Sequence, residues 1–243
     1  MSENTPLPSR VPAPNAPTYN APDRVASWAD LLRRLAHSAL AGDPVSPGAP
    51  QHARLAFAQT FRDETGARPG VVDPFLADLL RLAPPELPQD AAPDVLLWDQ
   101  LARGRLDPSE LIHAEGGPLL GAASDTRAIE VRTEGELIAL HALSEIAFRG
   151  ADHALHERCR AAARWHLDEI QPDNATNHPW AIQVFVRLSL DGTFDRADEA
   201  RLHAQTMLHN CMVSLGRPDR LSACILLHAA RSLERHRAVD GVA

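Results

Sequence analysis

Seventeen of the chain's 20 prolines lie at or before Pro118. Proline fixes φ, lacks a backbone N–H and clashes with the preceding helical turn, so it ends or kinks regular elements. The front of the chain can therefore build only short segments. The back holds only Pro172, Pro179 and Pro218 and can build long ones. Histidine runs the opposite way, with nine of 12 after Pro118, as do all three cysteines.

Residues 1–23 carry six prolines and few apolar side chains. Such a stretch cannot bury enough surface to offset its ordering entropy and reads as a disordered tail. An inert tail is a simpler reading than a docking segment around Asn15, Tyr19 and Asn20. Residues 24–113 read as short helices with their own start signals. Ser27 with Asp30 resembles a capping box for 28–41, and a second helix is expected near 52–65. Asp73-Pro74 opens 75–82 as an N-cap followed by proline. A helix over 94–102 follows, and Asp107-Pro108-Ser109-Glu110 signals one more short helix. Residues 114–133 form a glycine-containing connection, with a brief extended piece at 128–132.

From 134 to 237 the pattern becomes long and regular. Thr133 and Glu136 read as a capping box for a first helix over 134–149. Further helices are expected over 152–170, 179–190, 195–214 and 218–236. Gly150 and Gly192 sit in tight turns where glycine suits a helix C-cap. The segments IALHAL, AIQVFV and ILLHAA align at a spacing of 42–45 residues, which points to stacked helical hairpins. The expected fold is a single all-α domain over 24–237, built of antiparallel helical hairpins, solenoid-like or similar to part of an α/α toroid.

The first, third and fifth of these helices are apolar on most sides, and each keeps one narrow polar line. The lines are His141 with Glu145, Gln183 with Arg187, and His228 with Arg231 and Ser232. If these helices form an inner layer, the lines face one another or a shared cavity. The intervening helix over 152–170 has an outer side of Glu157, Arg158, Arg160, Arg164 and Asp168, read as a solvated face with an Arg164–Asp168 pair. The longer loops gather polar groups at one end of the helices. Asp173, Asn174, Asn177, His178 and Trp180 come from one loop, and Arg217, Asp219 and Arg220 from another. Both precede helix N-termini, which favour anions. The competing reading is turn and capping chemistry, with Trp180 plugging the core.

Several chemistries are excluded. All 24 basic residues are arginine. Without lysine there is no Schiff base, no phosphate-loop lysine and no Ser-x-x-Lys pair. That arginine usage also suggests a GC-rich bacterial genome. A net charge of -8 argues against a nucleic-acid backbone binder. No apolar run approaches a bilayer span and no secretory leader is visible, so no membrane partner is expected and cytoplasm is the default location. Three scattered cysteines form neither a disulfide framework nor a CxxC site, and no metal or cofactor signature occurs. His141, Glu145 and His228 with His166 or His178 could surround a metal, but satisfied buried histidines are commoner.

These residues support a binding or scaffold module with a polar ligand or protein-partner site at one end of the helices. The alternative is a hydrolase- or lyase-type enzyme acting on a sugar or acidic metabolite. His141, Glu145, His178 and His228 are its acid–base candidates.

Overall fold

The computed structural model describes residues 21–121, 128–169 and 177–240, so the expected tail lies almost wholly outside them. Among the described residues there are nine α-helices and no strand. The front half gives α1 (Val25–Ala39), α2 (Gln51–Thr60), α3 (Val72–Leu80) and α4 (Pro93–Ala102). The back half gives α5 (Ile129–Gly150), α6 (His153–Glu169), α7 (Ile182–Ser189), α8 (Ala197–Val213) and α9 (Arg220–Asp240). No helix among the described residues is long and apolar enough to cross a membrane.

The back half is arranged around α5, α7 and α9. Helix α5 is buried at every residue from Glu136 to Ala147, as its all-round apolar sequence requires. Helix α7 touches both α5 and α9, while α6 lies on α5 and α8 on α7. The front half completes the packing. Helix α1 lies along α9 through Trp28, Ala29, Leu32 and Ala36, giving α9 the outer cover that α6 and α8 give their partners. On the other side α3 packs on α4, and α4 on α5. One apolar core joins the two halves.

At the centre of that core Phe75, Trp98 and Trp180 meet edge to face. Phe75 lies 5.0 Å from each tryptophan ring. Each fully buried tryptophan is worth about 4–6 kcal/mol of apolar burial before ordering entropy is subtracted, an upper bound set by the extended-chain reference.

Several local start signals are overridden. Helix α1 begins ahead of Ser27, with Arg24 as N-cap and no side-chain cap, and Asp30 instead pairs with Arg33 at 3.1 Å. Asp73 lies within the first turn of α3, where it pairs with Arg68. The piece expected to be extended at 128–132 is the first turn of α5. Glu136 is then interior to α5, and its carboxylate accepts from the Leu119 and Leu120 N–H groups at 2.6 and 3.0 Å. Residues 107–111 form a turn rather than a helix. The left-handed residue after α5 is Ala151 (φ 49°), with Gly150 still helical.

The outer face of α6 is also different. Arg158 is buried, and its guanidinium donates to the carbonyls of His113, Gly117 and Pro118 at 2.8–3.1 Å. Arg164 pairs with Asp195 and Asp168 with Arg196, so these charges tie α6 to the start of α8.

Candidate functional site

The polar lines of α5 and α9 meet inside the aromatic cluster. His141 Nε2 and His228 Nδ1 lie 3.0 Å apart. The Ala181 backbone N–H points at His141 Nδ1, at 3.2 Å. That amide can only donate, so Nδ1 of His141 is an acceptor and its proton sits on Nε2. His141 Nε2–H therefore donates to His228 Nδ1. This leaves the His228 proton on Nε2, which donates to Asp78 Oδ2 at 3.1 Å. Arg149 closes the chain with a fork onto both Asp78 oxygens, at 2.7 and 2.8 Å. Every ring nitrogen of the two histidines is engaged, and both rings are uncharged in this arrangement.

Burial, followed by the positive field of His228 when charged, holds the His141 pKa well below its ordinary value. Burial pushes the Asp78 carboxyl up, but hydrogen bonds from His228 and Arg149 outweigh it and hold the group well below the usual carboxylate range. Glu145 is fully buried one turn from His141. Burial again raises its pKa, and His228 when charged, Arg235, the Ser232 hydroxyl and Arg149 together bring it below the ordinary value. Arg235 donates to Glu145, and Arg149 stands 3.7 Å from it.

Above this chain opens a cavity of about 280 Å³. Its walls include Asp78 and His228, together with Arg81, Arg149, Arg231 and Arg235. Arg149 is matched by Asp78 and Arg235 by Glu145. Among the described residues Arg231 donates only to the Leu79 and Val45 carbonyls, at 3.0 and 2.6 Å. A guanidinium has five N–H donors, so three remain. Burial and then the nearby charges of Arg235, Arg81 and Arg33 lower its pKa. Arg81 caps α3 in the left-handed conformation (φ 53°), where glycine is usual. Neither Arg81 nor Arg231 has a carboxylate partner among the described residues.

The loop residues expected to form a site are dispersed by comparison. Asp173 and Asn174 lie outside the described residues. Trp180 is completely buried in the aromatic cluster and is a core residue rather than the wall of an open site. Arg217 pairs with Glu64 at 3.2 Å. Arg220 forks onto Asp43 at 3.0 and 3.1 Å and lies over the rings of Phe57 and Phe61. Asp219 accepts from Ser222 N at 2.7 Å and caps α9, while Glu64 accepts from Arg220 N at 2.9 Å. The N–H groups that could have held an anion at the start of α9 are thus occupied by the chain's own carboxylates.

Asn177, His178 and Asp219 do share a second cavity of about 270 Å³, with Asp63 and Glu64. His178 Nδ1 is 2.6 Å from Glu134, and its Nε2 is 4.0 Å from Asp219. Burial lowers the His178 pKa, but Glu134, Asp219 and Asp63 outweigh it and raise it above the ordinary value. Among the described residues no group of three or more His, Cys, Asp or Glu is placed to hold a metal. Cys159 lies beside a third cavity with His156 and Arg187, and burial pushes its thiol up to about 12, so it is no nucleophile at neutral pH.

His141, Glu145 and His228 were legible as polar breaks in apolar helices. Arg235 continues the His228–Arg231 line at helical spacing and could have been found the same way. Arg149 likewise continues the His141–Glu145 line at helical spacing, whereas Asp78 and Arg81 lie far off in sequence and carried no signal. The chain matches no protein-family profile, no curated protein and no solved structure.

Proposed function

We propose that the chain is a ligand-binding module, and that its site is the arginine-lined cavity above the His141–His228–Asp78 chain, where a small anionic molecule binds. The observation that carries this reading is the pair Arg81 and Arg231. Both line one small concave space, and neither has a carboxylate partner among the described residues. Guanidiniums in such a setting favour planar, forked recognition of oxyanions. The histidines favour binding over proton transfer at this site, because each of their ring nitrogens is already hydrogen-bonded within the protein. Their role here is to hold Asp78, and through it Arg149, in a fixed position.

Arg81 supplies the test. A non-glycine residue in the left-handed region costs about 1 kcal/mol or more, and Arg81→Gly removes that cost together with the guanidinium. The variant is expected to melt at a higher temperature than wild type without ligand, and to gain less from added anions such as phosphate, sulfate or citrate. A ligand at 100 times its Kd stabilises by about 2.7 kcal/mol through mass action, which a thermal-shift assay resolves. Equal anion-induced shifts in wild type and Arg81→Gly would put the binding elsewhere.

A further inference from the structure

Resting on the anion reading above, we infer that the ligand is a compact tetrahedral dianion of the phosphomonoester class rather than a monoanion or an extended dicarboxylate. The inference comes from the charge balance of the cavity and from the way its arginines converge. Four guanidiniums line it. Two are matched by carboxylates, Arg149 by Asp78 and Arg235 by Glu145. The histidine chain adds no charge, because the Ala181 amide fixes both rings as neutral tautomers. Two positive charges are left over, on Arg81 and Arg231. A dianion neutralises both, the half-buried Arg231 and the exposed Arg81, whereas a monoanion leaves one of the two charges uncompensated.

Compactness follows from crowding. Arg81, Arg149, Arg231 and Arg235 all line the one small cavity, and Arg231, whose ionisation is lowered first by burial, also feels the charges of Arg235, Arg81 and Arg33. Arg81, Arg231 and Arg235 reach the cavity from separate places, the C-cap of α3 and successive turns of α9, so they point toward a common space. A phosphoryl group concentrates two charges and three acceptor oxygens in one such space. A dicarboxylate spreads the same charge over two ends. The cavity, at about 280 Å³, leaves room beside the phosphoryl group for a small organic remainder.

Isothermal titration of the full chain with glycerol phosphate, sulfate, succinate and acetate at constant ionic strength tests this. Glycerol phosphate and sulfate are expected to bind, succinate at least tenfold more weakly, and acetate not measurably. Between about pH 7.5 and 5.5, glycerol phosphate should weaken about fourfold as its second ionisation near pH 6 is reversed. Sulfate stays dianionic and should not weaken. Arg231→Gln should lower phosphate affinity at least tenfold. Arg231 also holds two carbonyls, so Arg81→Gly, which keeps those contacts, is run beside it and should cost about tenfold. Acetate or succinate binding as tightly as glycerol phosphate would overturn the dianion class while leaving an anion site in place. Phosphate affinity unchanged in Arg81→Gly, or no binding by any of the four, would overturn the site as well.

Discussion

Acidification is expected to destabilise this protein from about pH 6.5 downward, before its carboxylates begin to protonate, and His166 and His203 set that behaviour. Both are buried, on α6 and α8, with Phe185 packed against each, at 6.3 Å from His166 and 4.3 Å from His203. None of their four ring nitrogens has a hydrogen-bond partner among the described residues. Burial, with His203 adding its charge against His166, lowers the pKa of His166 from 6.5 to about 3, and burial lowers that of His203 to about 4. Below 6.5 the unfolded chain takes up protons at these positions and the folded chain does not. The stability they contribute is thus fully present above 6.5 and is lost as pH falls through about 4 and about 3.

A tenfold change in proton affinity is worth about 1.4 kcal/mol, so the two together remove on the order of 8 kcal/mol by the low end of that window. The steepest slope is about 2.7 kcal/mol per pH unit, against a typical total stability of about 5–15 kcal/mol. His178 works the other way. Its raised pKa adds stability that is present below 6.5 and lost as pH rises past its folded value, which softens the upper part of the curve. Urea titrations at half-unit pH steps measure the slope directly. The double variant His166→Leu/His203→Leu should be more stable near neutral pH, because it removes buried unpartnered polar groups, and should flatten the curve between about pH 6.5 and 4. If that variant loses stability with acid as steeply as wild type, or if NMR shows either imidazole titrating near 6.5 in the folded protein, the reasoning is wrong.

Three further outcomes follow from the same packing. His228→Ala leaves the His141 donor and the Asp78 carboxylate facing an empty space, and should cost about 3–5 kcal/mol by chemical denaturation. Trp98→Ala opens a cavity between α3, α4 and α5 and should cost about 3–5 kcal/mol in the same assay, whereas Leu202→Ala on the exposed side of α8 should stay within about 0.5 kcal/mol. The three cysteines are buried, with Cys159 and Cys211 pushed up to about 12 by burial, so an aromatic disulfide reagent should release no thiolate colour until denaturant is added.

Helix type and approximate position were readable because they rest on local quantities. Proline spacing limited α1 to α4, and the long apolar runs required α5 and α9 to be buried. Helix starts were less readable. Ser27, Asp73 and Thr133 all offered capping chemistry, and each lies inside its helix: a cap worth about 1 kcal/mol does not by itself fix where a helix starts, and α5 runs one turn further through the exposed Ile129 and Val131. Arg158 looked like one charge among several on a wet face, yet it is buried holding the 113–118 loop by three carbonyls.

What the sequence determined by itself is that α5 carries His141 and α9 carries His228 within apolar stretches, since helical periodicity alone decides which side chains share a face. Only the tertiary structure decided that these histidines join to Asp78, 150 residues from His228, and that Arg81, Arg149, Arg231 and Arg235 meet above them. A hydrogen bond or an ion pair depends on a few ångströms of separation between elements. Sequence spacing fixes that distance only within one helix, and the packing of α3 on α4, of α4 on α5 and of α7 on both α5 and α9 fixes it between them.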